Sequence, residues 1–170
     1  MNNISDIKNC YGCGVCAVAC HRNIIRVSLN KKGFYEPIIV DTDKCTQCGL
    51  CREVCAYSHN ELALKSQKIY SWASWSNDEQ VRKKCSSGGI GFEIGKQLLQ
   101  EGYKVVGCRY DATLQRAEHY IATTVEELIP SIGSKYIQSY TEEAFKKIDR
   151  KQKYLVTGTP CQIDSFRRFN

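Results

Sequence analysis

The sequence predicts an α+β/α/β protein in two parts: a small α+β unit over residues 1–65, organised by cysteines, then a partial α/β domain over residues 66–170. Three observations predict this division. Eight of the eleven cysteines fall in two eleven-residue windows of identical spacing, CYGCGVCAVAC at 10–20 and CTQCGLCREVC at 45–55. Two β-branched runs around a turn lie between those windows. Beyond residue 65, strand-like runs alternate with helical periodicity and glycine-rich breaks, the pattern of helices packed on a sheet.

The bulk properties set limits on function. A chain of 170 residues suits one small domain plus part of a second. Its 42% hydrophobic and 25% charged residues are ordinary for a water-soluble fold. No uninterrupted apolar run is long enough for a membrane span, and MNNISDIKNC lacks the apolar core of a secretory signal. A cytoplasmic location is therefore expected. The formal charge of +6 includes basic runs at Arg82–Lys84 and around Lys146–Lys153. These are read as solvated surface, or as steering for an anionic cofactor or acidic partner. Nucleic-acid binding is not expected.

Within the first part, a shift of 35 residues superposes Cys10, Cys13, Cys16 and Cys20 on Cys45, Cys48, Cys51 and Cys55, an internal duplication. The spacing C-x2-C-x2-C-x3-C is that of bacterial two-cluster ferredoxins, in which the fourth cysteine serves the other cluster. The reading is a small bacterial-type two-cluster ferredoxin domain. Cys10, Cys13, Cys16 and Cys55 are expected to hold one 4Fe-4S cluster, and Cys45, Cys48, Cys51 and Cys20 the second. Structural zinc uses paired knuckles with four ligands per ion; three close cysteines plus a fourth over-crowd that arrangement. A disulfide scaffold belongs to secreted chains. Gly14 and Gly49, each after the second cysteine of a run, leave room for backbone N–H groups near the sulfurs. The residue after the fourth cysteine is usually proline in ferredoxins, and here it is His21 or Ala56. His21 is read as a surface neighbour rather than a ligand. Between the repeats, IIRVSLNKKGFYEPIIV predicts a hairpin around Asn30–Gly33, lidding one cluster with Ile24, Ile25, Ile38 and Val40.

In the second part, IYSWASW (69–75) alternates like a strand. IGFEIGKQLLQEG predicts a helix with Ile90, Ile94, Leu98 and Leu99 on its inner face and Gly102 beyond its end. VVGCRY (105–110) and HYIAT (119–123) predict strands. SYTEEAFKKI predicts a helix opened by a Ser139–Glu142 capping box. KYLVT (153–157) is a further strand, and GTPCQ starts another helix, with Thr159 as cap, Pro160 first and Gln162 completing the box. A mostly parallel or mixed sheet is expected.

Two loops of this part point to anion binding. SSGG (86–89) and GTPCQ (158–162) each lead into a helix N-terminus, where free N–H groups favour phosphates; the plain alternative is two glycine turns. Cys161, second in its helix, is placed where the dipole lowers a thiol pKa, and reads as an extra cluster ligand, a redox thiol or a packed core cysteine. Cys85 and Cys108 are read as structural.

The cysteine module followed by SSGG, GSKYIQS and GTPCQ in that order resembles the coenzyme F-420 (deazaflavin) hydrogenase/dehydrogenase beta-subunit family. The resemblance implies a flavoprotein that passes electrons between iron–sulfur clusters and FAD, which then exchanges a hydride with a soluble substrate. It implies flavin contacts at Ser87, Gly88, Gly89, Lys135, Gly158, Thr159 and Cys161. Such proteins continue past the GTPCQ helix, so a chain stopping at SFRRFN is expected to be a truncated product or fragment. The function expected is an iron–sulfur flavoprotein oxidoreductase with a redox partner or electron donor and a small-molecule acceptor. The alternatives are a ferredoxin-like carrier that only docks a partner, or a remnant that keeps its clusters without chemistry.

Overall fold

A computed structural model of the chain describes residues 2–8, 10–62, 70–149 and 151–169. In chain order its elements are α1 (Val15–Ala19), β1 (Ile25–Leu29), β2 (Tyr35–Ile39), α2 (Leu50–Glu53), α3 (Glu79–Lys84), α4 (Ile90–Gln100) and β3 (Lys104–Asp111). Then follow β4 (Arg116–Ala122), α5 (Val125–Leu128), β5 (Ser139–Tyr140), α6 (Glu142–Lys146), β6 (Tyr154–Val156) and α7 (Pro160–Phe169). They form two compact units. The first comprises Met1–Lys65, Tyr140–Lys147 and Gly158–Asn170; the second comprises Ser66–Ser139 and Ile148–Thr157. No helix among the described residues is long and apolar enough to cross a membrane.

In the first unit the expected hairpin forms, with Ile25 opposite Ile39 and Leu29 opposite Tyr35. Asn30 closes its turn: the carbonyl accepts from Gly33 N–H at 3.0 Å, and Oδ1 accepts from the Lys32 and Phe34 N–H groups at 2.9 and 3.1 Å. This is the local competition for backbone donors that makes asparagine a turn residue. Side chains alternate across a strand, and the register corrects the expected lid. Ile24 and Ile25 are buried, but Ile38 and Val40 are exposed. Ile39 faces inward in their place.

The helices α6 and α7 return to this unit and pack on α1. Phe145 and Phe166 are both buried, with ring centroids 5.3 Å apart. The expected Ser139 cap is not made, because Ser139 belongs to β5 and Thr141 precedes α6. Glu142 turns away from its own helix start instead. Its buried carboxylate accepts from Val27 N–H at 2.7 Å and pairs with Lys146 at 2.7 Å and Arg26 at 3.6 Å. At α7 the box does form in part, Thr159 N–H donating to Gln162 Oε1 at 2.8 Å.

The second unit carries a mixed sheet of order β5-β4-β3-β6, whose edge strand β5 contains the boundary between the units. Strands β3 and β4 pair antiparallel, while β3 and β6 pair parallel. Val105, Ala122 and Leu128 form the core, with Phe92, Leu99, Tyr120 and Leu155 against it. The inner face of α4 is therefore Phe92, Gly95 and Leu99, not Ile90, Ile94 and Leu98; Ile94 is exposed. The reason is Gly95, where an added Cβ would lie 2.8 Å from Leu128 Cδ2. A missing side chain lets the helix come close, and apolar periodicity does not register it. The strand expected at 69–75 is not found over 70–75, and Ile69 lies outside the described residues. Alternation alone does not make a strand when no neighbour supplies a ladder. Tyr70, Trp72 and Trp75 are exposed, and the segment is anchored at its end by Ser76, whose N–H donates to Gly88 O at 2.7 Å.

Because Phe145 holds α6 against Phe166 of α7, Phe145→Ala is expected to cost about 3–5 kcal/mol. The measurement is the urea midpoint of the full chain; an unchanged midpoint would remove α6 and α7 from the first unit's core.

Candidate functional site

Both cysteine runs enter their short helices by one device. Gly14 (φ 77°) and Gly49 (φ 83°) are left-handed and stand immediately before α1 and α2, a conformation strained for residues with side chains. A Cβ at Gly14 would fall on the Thr141 hydroxyl, and one at Gly49 would lie 2.6 Å from Asn2 Nδ2. Each loop thus curls on itself and is packed from outside by a residue beyond the repeat.

The second run curls around a cavity of about 180 Å³. Its walls include Cys45, Cys48 and Cys51, and also Cys20 from the first run. Ile24, Ile25 and Ile39 supply an apolar wall, and the exposed His21 borders the space. The volume is far above the ~10–15 Å³ that one water needs. Among the described residues no three Cys, His, Asp or Glu converge closely enough to hold one metal ion. Four thiols around a hollow suit a thiolate-ligated cluster better than a tetrahedral ion, whose ligands meet at a point.

The first run is more enclosed. Cys13, Cys16 and Cys55 are buried, and Gly12 N–H donates to Cys10 Sγ at 3.2 Å. Burial pushes the Cys13 thiol up to about 11 and the Cys16 thiol well above its usual range; burial also raises Cys10 and Cys51. The neighbours that bear on these thiols electrostatically mix the two runs. Cys55 acts on Cys10 and on Cys16, and Cys20 acts on Cys51. Without a cation to share their charge these groups stay protonated, so binding a metal group here releases protons.

The residues expected to meet a flavin fall in both units. In the second, Ser87, Gly88 and Gly89 lead into α4, and a Cβ at Gly88 would lie 2.8 Å from Ser74 O. The neighbouring Ser86 Oγ accepts from Ser134 N–H at 2.7 Å, which joins the 86–89 and 133–136 loops. Lys135 Nζ donates to the carbonyls of Pro130, Ile132 and Gly133 at 3.0, 2.9 and 2.9 Å. Its partial burial holds its pKa below the usual lysine range. In the first unit, Gly158, Thr159 and Cys161 stand at the head of α7. Thr159 Oγ1 lies 3.2 Å from Cys161 Sγ, and Cys161 bears electrostatically on Cys10 and Cys13. Cys85 and Cys108 are half-buried in the second unit.

Three residues at the cysteine runs gave no sequence signal. Asn3 Nδ2 donates to Cys45 Sγ at 3.6 Å. Thr141 Oγ1 donates to Cys13 O at 2.9 Å. Ser165 Oγ accepts from the Cys13 thiol at 3.5 Å and from Ala56 N–H at 2.9 Å.

In the metal-free chain, iodoacetamide at pH 8 is expected to label exposed Cys48 at least about tenfold faster than Cys13 or Cys16, since the thiolate is the nucleophile. Peptide mass spectrometry reads the rates; equal labelling would contradict the burial described.

Comparison with known proteins agrees with these two parts. Residues 9–58 match the 4Fe-4S dicluster domain, which takes in both cysteine runs. Residues 71–146 match the N-terminal part of the coenzyme F420 hydrogenase/dehydrogenase beta subunit, which takes in the 86–89 and 133–136 loops. The 158–162 loop lies outside both matches. A curated relative, the coenzyme F420-dependent sulfite reductase of Methanocaldococcus jannaschii, is 27% identical over 178 residues, covering 99% of this chain. The chain spans only 26% of that relative's length. By these matches the chain is similar over its first part to a 4Fe-4S dicluster domain, and over its second to the N-terminal part of the coenzyme F420 hydrogenase/dehydrogenase beta subunit.

Proposed function

We propose that the chain relays electrons through two 4Fe-4S clusters to a flavin, as part of an oxidoreductase that acts on a soluble small molecule. Cys10, Cys13, Cys16 and Cys55 hold the first cluster, and Cys45, Cys48, Cys51 and Cys20 the second. The observation that carries this reading is the cavity in which Cys20 joins the three leading cysteines of the other run. Bound clusters supply single electrons, and a bound flavin supplies hydride-level chemistry. The residues' own roles are simpler. The cysteines ligate, Gly14 and Gly49 bend the loops, and Ile24, Ile25 and Ile39 form an apolar wall beside the second set.

Flavin contacts are assigned to Ser87, Gly88, Gly89 and Lys135 in the second unit and, separately, to Gly158, Thr159 and Cys161 at the head of α7 in the first. Support comes from the tie between Ser86 and Ser134, which keeps two of the family's loops together. The M. jannaschii relative is named for coenzyme F420 and sulfite; a deazaflavin or FAD at these loops extends that chemistry class to this chain. One observation favours the second reading, a carrier that docks a partner without its own flavin. The Lys135 ammonium is engaged by three backbone carbonyls, which leaves it poorly placed to meet a phosphate.

The crosswise division has a direct test in anaerobically reconstituted protein, with iron content as the readout. The parent is expected to bind about eight irons. Cys20→Ser and Cys45→Ser should each reduce that to about four, and the double variant should still hold about four. A double variant with no iron would mean that each run serves its own cluster. Flavin content after incubation with FAD decides between the two functional readings: about one flavin per chain supports the oxidoreductase, and none supports the carrier.

A further inference from the structure

The two cysteine runs are near copies, yet what touches their sulfurs from outside is not duplicated. Ser165, on α7, has no exposed surface and its oxygen lies 3.5 Å from Cys13 Sγ. That same oxygen accepts from Ala56 N–H, the residue after Cys55. The serine therefore bridges two members of the first cysteine set, Cys13 directly and Cys55 through its neighbour. In the metal-free chain the thiol proton points at the serine. Once Cys13 is a ligated thiolate that proton is gone, and the acceptor in the contact becomes the sulfur. The serine hydroxyl then has its donor face toward a negative sulfur while Ala56 N–H polarises it from behind, a chain in which each hydrogen bond strengthens the next.

The second run has a different donor. Asn3 is buried, and its Oδ1 accepts from Ser5 N–H at 2.9 Å, which fixes its amide nitrogen toward Cys45 Sγ. A neutral amide at 3.6 Å is a weaker donor than a polarised hydroxyl aimed at a buried thiolate. Hydrogen bonds to ligand sulfurs are among the terms that set cluster potentials, because they favour the reduced, more negative state.

We propose that Ser165 is a positioning residue that raises the reduction potential of the cluster held by Cys10, Cys13, Cys16 and Cys55. It does so by donating its hydroxyl proton to Cys13 Sγ, and Asn3 gives the other cluster a smaller increment through Cys45. The potentials of the two clusters are thereby moved by different residues, both of which lie outside the repeat. This inference rests on the cluster assignment proposed above.

The test uses the full chain, reconstituted anaerobically, with iron counted before a redox titration followed by electron paramagnetic resonance. A parent without iron would defeat the cluster assignment itself. With iron bound at the parental level, Ser165→Ala is expected to move one of two midpoints to more negative values, and Asn3→Ala to move the other. Ser165→Cys retains a weak donor and serves if the alanine variant does not load; its midpoint should fall below the parent's by a smaller shift. A parental midpoint in a loaded Ser165 variant overturns the proposal, as does a finding that the Ser165 and Asn3 variants shift the same cluster.

Discussion

Thiolates crowded into a low-dielectric interior repel one another and lose their hydration, so they can be kept charged only where cations are set among them. The first unit is organised around that constraint. Its loops turn through left-handed glycines, and the second run lines a hollow together with Cys20. Its hairpin contributes isoleucines that wall one side of the hollow without offering a competing charge. Burial raises the thiols, so a metal group bound there would displace protons. The small helices α1 and α2 would be marginal on propensity alone; they are held by packing on each other and, for α1, on α6 and α7.

The second unit has a more conventional basis. Its mixed sheet rests on Val105, Ala122 and Leu128, and α4 lies close to it because Gly95 has no side chain. Glu118 is held between Arg109 and Arg116 at 2.9 and 2.8 Å, so a buried carboxylate there is matched by two guanidinium groups. This unit has the means to present loops on a rigid support, which is where binding residues are usually found.

Much of this architecture could be read from local sequence, and the failures have physical causes. The two cysteine runs were legible because their spacing is written into adjacent residues, and the dicluster match takes in both. The hairpin turn was legible because Asn30 bonds to its own neighbours. The limits of α4 were legible in Gly89 and Gly102. The parity of β2 was not, since Ile38, Ile39 and Val40 are all apolar and only pairing with β1 chooses among them. Trp72 and Trp75 looked like alternating strand residues, yet no strand forms around them. Ser139 and Thr141 are equally plausible caps until β5 claims the first. Ser165 lay beyond reach for another reason: its partner Cys13 is 152 positions away, and no local pattern encodes such an approach.

The discontinuity of the first unit has a consequence for how the molecule is made. A ribosome delivers domains in order from the N-terminus, so both cysteine runs emerge well before α6 and α7 can cover them. Until residue 165 is out, Cys13 lacks its neighbour and Phe145 lacks its ring partner. Nascent chains therefore pass through a stage in which sulfurs destined for burial stand open to oxidants.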